Sequence, residues 1–205
     1  MSVGGRIEAV VFDVGRVLYE WNLRHLFGKL IADPAKLERF VTTVVTPEWH
    51  FQHDAGRPLA KMVAERSAEF PQHAALIHAY ATRFNETIPG PVPGSLELVD
   101  RLHAGGMPLY SITNFGAELW AMFRPTAPVF ERFIDIVVSG VEKLAKPDPA
   151  IFALAAQRFG RDPATMLFVD DVAANVAAAR DGGWHAHHFH SAAGLEADLI
   201  ARGLL

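Results

Sequence analysis

Cysteine is absent from the 205-residue sequence, which excludes disulfides, thiolate zinc sites and cysteine nucleophiles together. Nor is there an excess of positive charge. Lys and Arg number 19 against 23 Asp and Glu, for a formal charge of −4, so no overall positive field draws the chain onto nucleic acid or anionic membrane. Neither is expected as a partner. No run of about 18 uncharged apolar residues occurs, and the opening Met1-Ser2-Val3-Gly4-Gly5-Arg6 lacks the basic start and long apolar middle of a signal peptide. A soluble cytoplasmic protein is the expectation, and composition leaves its oligomeric state open. Internal repeats and low-complexity tracts are missing too.

What remains is an ordinary globular composition, 50% apolar and 20% charged, at a length suited to one large domain or a core with one sizeable insertion. Ile7 to Val14 is a short β-branched run ending in Asp13 and Gly15, as a buried parallel strand does on meeting a loop. From Leu23 to Thr87 the pattern turns helical. Asp33-Pro34, Thr46-Pro47, Arg57-Pro58 and Phe70-Pro71 punctuate about four helices. Ile88 to Gly94 then holds three prolines and two glycines in seven residues, which forbids regular structure and reads as the return from an insertion.

Beyond that return, strand and helix alternate. Ser95 reads as the cap of a helix running to about Ala104; Met107–Thr113, Asp135–Ser139, Met166–Val169 and Trp184–Phe189 read as strands, with helices between them. Such alternation predicts an α/β fold, a parallel sheet with helices on both faces, whose ligands bind at the carboxyl ends of the strands. Polar residues stand at those ends: Asp13, then Thr113 and Asn114, then Asp170 and Asp171. Lys146 follows the strand near 135–139 and opens the next helix. Three carboxylates crowded with one lysine repel one another unless a cation relieves them, which predicts Mg²⁺ on oxygen ligands, and a Lys and a hydroxyl beside it suit a phosphoryl group. Each Asp taken singly is also an ordinary turn former.

The pattern resembles the haloacid dehalogenase-like (HAD) hydrolase superfamily. F-D-V-G-R-V-L at 12–18 is similar to its first motif, I-T-N at 112–114 to the second, A-K-P-D-P-A-I-F at 145–152 to the third, and F-V-D-D-V-A-A-N at 168–175 to the fourth. The resemblance implies a Rossmann-like core over 1–18 and 91–205 with a helical cap inserted over 19–90. It makes Asp13 the nucleophile of an aspartyl intermediate, with Thr113, Lys146 and the Asn114 backbone holding the transferring phosphoryl. Asp13, the Gly15 carbonyl and Asp170 would ligate Mg²⁺, with Asp171 and Asn175 supporting the site. The activity implied is a Mg²⁺-dependent phosphatase for a small phosphorylated metabolite. Two alternatives stand beside it: a 2-haloacid dehalogenase using the same Asp, and an inactive domain that only binds a phosphorylated ligand.

One position departs from the pattern. Phosphatases of the superfamily usually carry Asp two places after the nucleophile as general acid and base, whereas this chain has Gly15, as in the D-x-G members of the group. A lost acid–base group typically costs about 10² to 10⁴ in rate. Either the cap supplies a donor, with His50 and His53 as candidates, or the substrate carries a good leaving group. Arg16 reads as a substrate contact or a solvent-facing cation, and Trp21, Trp49 and Phe51 as a cap pocket or core packing. The W-H-A-H-H-F-H run at 184–190 splits its histidines between two strand faces, which argues against a zinc site.

Overall fold

The computed structural model describes residues 6–205; residues 1–5, where the signal-peptide pattern is missing, lie outside the described part. Five strands, β1 (Ala9–Phe12), β2 (Leu109–Thr113), β3 (Asp135–Val138), β4 (Met166–Asp170) and β5 (His185–His188), form one sheet in the order β3-β2-β1-β4-β5. Every pairing is parallel. The expected α/β architecture is therefore present, with four strands one or two residues shorter at an end than the apolar runs suggest and β4 one residue longer.

Period-two alternation gives the sheet two apolar faces. Val10, Phe12, Leu167 and Val169 turn to one and pack with Leu98 and Val99 of α6 (Ser95–Ala104) and Leu195 of α11 (Ala192–Ala201). Ala9, Val11, Met166 and Phe168 turn to the other, against Ile151 and Phe152 of α9 (Pro149–Phe159) and Val176 of α10 (Ala173–Asp181). Each fully buried Val, Leu, Ile, Phe or Met side chain contributes about 1.5–3 kcal/mol. Two short helices, α7 (Ala117–Phe123) and α8 (Ser139–Glu142), follow β2 and β3.

Between β1 and α6 the described chain is helical, with α1 (Leu23–Phe27), α2 (Pro34–Thr43), α3 (Pro47–Asp54), α4 (Leu59–Glu69) and α5 (Ala74–Thr82). Asp33 and Thr46 cap α2 and α3 by accepting backbone amides, each followed by a proline at the first helical position. The outgoing and returning segments of this block run side by side, with Val92 N donating to Leu18 O at 2.9 Å and Glu20 N to Gly90 O at 3.0 Å. Its core is continuous with the first sheet face through Phe27, Met62 and Tyr80.

Two local readings are corrected. Ser95 does not cap α6: Gly94 takes that position at φ 81° and no side chain caps the helix, a left-handed backbone that glycine adopts without penalty. The 23–87 block holds five α-helices and two 3₁₀ turns rather than about four helices, because Leu23–Phe27 forms a turn and a half capped by Asn22. The histidines of β5 gather at no common point. His187 meets Asp198 at 2.9 Å, His188 meets the Asp171 carbonyl at 3.0 Å, and the one metal-competent cluster among the described residues contains no histidine.

Candidate active site

Parallel strands end on one edge, and that edge collects the polar side chains. Asp13 follows β1, with its amide donating to Val169 O of the neighbouring β4 at 2.8 Å. Asp170 ends β4 and Asp171 follows it. Each of the three carboxylates offers an oxygen within 4.8 Å of the others, a separation at which like charges repel by roughly 3 kcal/mol per pair at an effective dielectric near ~20.

Lys146 partly relieves that repulsion. Its Nζ lies 2.9 Å from Asp13 Oδ1, 2.7 Å from Asp170 Oδ2 and 2.8 Å from Ile112 O, and the side chain is fully buried. Burial opposes its charge, but Asp13 and Asp170 outweigh that cost and raise its pKa, so it stays an ammonium. Asn114 fixes the lysine from behind: its side chain donates to Lys146 O and accepts from Lys146 N, both at 2.9 Å. Asp170 is held as firmly, accepting from Val172 N at 2.8 Å and from Asn175 at 3.0 and 3.1 Å.

One ammonium does not balance three carboxylates. Burial, then Asp170 and Asp171, push Asp13 up to about 7 against the pull of Lys146; burial and Asp170 likewise raise Asp171. Beside them Thr113 Oγ1 is buried with no hydrogen-bond partner, which is costly unless a ligand supplies one. A hard divalent cation on the carboxylates and an anionic oxygen at Thr113 would satisfy both deficits, so this donor set fits Mg²⁺.

The cluster opens into a cavity of about 350 Å³ whose wall includes Asp13, Gly15, Arg16, His50, Asn114 and Asp171. Arg16 stands at its mouth in a left-handed conformation, φ 58°, with a guanidinium 3.9 Å from Asp171 and 5.3 Å above the Trp21 ring. Trp21 and Phe51 also line the cavity, whereas Trp49 is packed against Tyr80.

The two candidate histidines separate. His50 reaches the cavity, stacked between Trp21 and Phe84, and burial holds its pKa down at about 3. With Nδ1 2.5 Å from Tyr80 Oη and Nε2 3.2 Å from Asp54 Oδ2, it is a neutral ring with both nitrogens engaged and a poor proton donor. His53 is no part of the cavity wall. It sits against Gly116, where a Cβ would fall 1.8 Å from its Cδ2, and helps dock α3 onto the loop after β2. Ser139 completes that docking, its Oγ accepting from Phe115 N at 2.9 Å and donating to Asp54 O at 2.6 Å.

Asp54, Tyr80 and Ser139 are functional candidates that the motifs did not point to. For Asp54 a signal exists, since residues 50 and 54 are one helical turn apart and share a face. Tyr80 and Ser139 join the site only through tertiary contact.

The family model for haloacid dehalogenase-like hydrolase matches residues 7–183. Among curated relatives, the mouse acyl-CoA dehydrogenase family member 10 is 28% identical over 89% of this chain and 18% of its own length. The Aspergillus oryzae sesquiterpene phosphatase astK is 25% identical over 84% of this chain and 85% of its own. Protein CbbY of Rhodobacter capsulatus is 28% identical over 86% and 82%. Among solved structures, an HAD family enzyme of Bacteroides thetaiotaomicron in complex with magnesium and inorganic phosphate superposes with TM-score 0.71 at 21% identity, covering 90% of this chain and 95% of that one. The L-2-haloacid dehalogenase of Xanthobacter autotrophicus gives 0.65 at 18%, covering 95% and 83%. At those identities the likeness is one of fold. With most of its length under the family model, this chain belongs to the haloacid dehalogenase-like hydrolases.

Proposed function

We propose that the protein is a Mg²⁺-dependent phosphomonoesterase that works through an aspartyl phosphate on Asp13. The observation that carries this reading is the buried Lys146 ammonium bonded to both Asp13 and Asp170, with Asp171 close by. Asp13, Asp170 and the Gly15 carbonyl would hold the cation, with Asp171 and Asn175 in support, and the cation would neutralise charge on the phosphoryl oxygens. Lys146 and the free Thr113 hydroxyl would orient the phosphoryl group, and Lys146 together with the cation would draw Asp13 toward the carboxylate form that attacks phosphorus. A dehalogenase needs an anionic haloacid beside Asp13, and Asp170 and Asp171 repel one.

The helical insertion over 19–90 acts in this reading as a cap. It supplies Trp21, Phe51, Phe84 and Ile88 to the cavity wall, and the core adds Phe115 and Val172. Sugar hydroxyls laid against these apolar side chains would lose their water with few partners in return. We therefore place the substrate among monophosphates of apolar alcohols, as the name of the sesquiterpene phosphatase relative also suggests.

Phosphate release from p-nitrophenyl phosphate, with Mg²⁺ and with excess EDTA, tests the reading, run beside halide release from 2-chloropropionate. Turnover that requires Mg²⁺, with a preference for phenethyl or geranyl phosphate over glucose phosphates, is expected. Metal-independent halide release would replace it with the dehalogenase.

A further inference from the structure

We propose that Asp54, at the end of α3, is the general acid and base of this site, handling the proton for which Gly15 offers no side chain. The inference rests on the reading of Asp13 as the nucleophile of a phosphatase. It arises from a gap: position 15 has no carboxyl, yet the cavity wall that Gly15 lines also carries Asp54.

The surroundings of Asp54 suit the task. Its side chain is buried, and Oδ1 has no hydrogen-bond partner. The other oxygen, Oδ2, lies 3.2 Å from His50 Nε2, so one oxygen is anchored and one remains for a ligand. His50 is itself fixed by Tyr80 and by stacking on Trp21 and Phe84, which sets the orientation of the carboxyl. The backbone is fixed as well, through Asp54 O and Ser139 and through the fit of His53 against Gly116.

Other residues on the cavity wall are poorer candidates. Asp13 and Asp171 belong to the carboxylate cluster, Arg16 does not release a proton, and Glu20 is exposed to solvent. The ionisable groups facing Asp54 are His50 and His53 on its own helix, Tyr80 from α5 and Lys146 from the core; Glu118 lies 3.5 Å from His53. Burial dominates over His53, the Gly116 amide and Lys146, and pushes the Asp54 carboxyl up to about 7. A group poised near the working pH can both give and take a proton.

The steps balance. As an Asp13 oxygen bonds to phosphorus and the ester P–O bond breaks, protonated Asp54 gives its proton to the departing oxygen, and the alcohol leaves neutral. Asp54, now a carboxylate, takes a proton from the water that attacks the aspartyl phosphate. The bond from phosphorus to Asp13 breaks, phosphate leaves, and both carboxyls return to their starting states.

Leaving-group dependence separates this role from a structural one. For wild type and Asp54→Asn, kcat/KM is measured with Mg²⁺ on p-nitrophenyl, phenyl and phenethyl phosphate. The variant is expected to lose about 10²- to 10⁴-fold on phenethyl phosphate, and progressively less as the leaving group improves. A loss of equal size on all three, or no loss, overturns the inference. Wild type alone gives a second reading if the variant folds poorly: kcat/KM on phenethyl phosphate falls above neutral pH, and that fall is absent with p-nitrophenyl phosphate. The same alkaline limb on both substrates overturns the inference. A wild-type protein that hydrolyses none of them overturns the phosphatase reading itself, and this inference with it.

Discussion

Asp54 and His50 stand one turn apart on α3 with Oδ2 and Nε2 3.2 Å from each other, and burial drives them in opposite directions. Asp54 rises to about 7 and His50 falls to about 3. The pair is therefore a neutral imidazole beside a carboxyl that holds its proton well above the usual carboxylate range, not an ion pair. Folded Asp54 holds its proton more tightly than the unfolded chain does, so its contribution to stability is complete below the ordinary value of 3.8 and is lost as pH rises through about 7. His50 works the other way, losing stability as pH falls from 6.5 toward about 3.

Asp54→Asn removes only the Asp54 part. Its stability relative to wild type should improve between pH 5 and pH 8 by on the order of a few kcal/mol. Urea denaturation at both pH values in EDTA checks this. A difference that does not change with pH would contradict the buried, proton-holding Asp54.

Removing the ammonium leaves two buried carboxylates facing each other. Lys146→Met should cost roughly 3–5 kcal/mol of stability in EDTA, and added Mg²⁺ should restore part of it by binding the cluster left behind. Denaturant midpoints with and without Mg²⁺ measure both effects. A Lys146→Met protein as stable as wild type in EDTA would contradict the charge balance described.

Gly116 lacks a side chain because His53 occupies the space, not because its backbone demands glycine, φ being −66°. Gly116→Ala should therefore displace the imidazole and loosen α3 from the β2 loop, costing about 1–3 kcal/mol. Pairing it with His53→Ala should recover much of that loss. Thermal denaturation of the single and double variants shows whether the two changes are coupled; additive losses would refute the contact.

Position 15 has room that position 116 lacks, since a Cβ there meets nothing within 4 Å. Gly15→Asp in the Asp54→Asn background should restore turnover of phenethyl phosphate by about 10-fold or more, out of the 10²–10⁴ an acid–base group supplies. Steady-state kinetics on the single and double variants decide it. No recovery by a folded double variant would show that the two positions do not serve one proton.

The parallel sheet and its polar edge were legible because each buried strand is a short apolar run whose last residue changes chemistry: Phe12 to Asp13, Ile112 to Thr113, Val169 to Asp170. A fold that joins strand ends at one edge converts that local pattern into a cluster. The His50, Asp54 and Tyr80 group was not legible in the same way. It depends on how α3 packs against α5, and His50 and His53 look alike in sequence although one lines the cavity and the other serves as a packing wedge. Ser95 misled for a local reason, because the glycine before it can take a left-handed cap conformation that makes a side-chain cap unnecessary. The bonds of the Asn114 side chain to the backbone of Lys146 join two motifs 32 residues apart and were not legible either.

The most direct measurement is mass spectrometry of the acid-quenched enzyme during turnover of p-nitrophenyl phosphate with Mg²⁺, run beside phosphate release by Asp13→Asn. The expected result is a phosphoryl group on the peptide containing Asp13, absent in EDTA, and phosphate release by the variant reduced to background. Undiminished phosphate release by Asp13→Asn would contradict the assignment of Asp13 as the nucleophile.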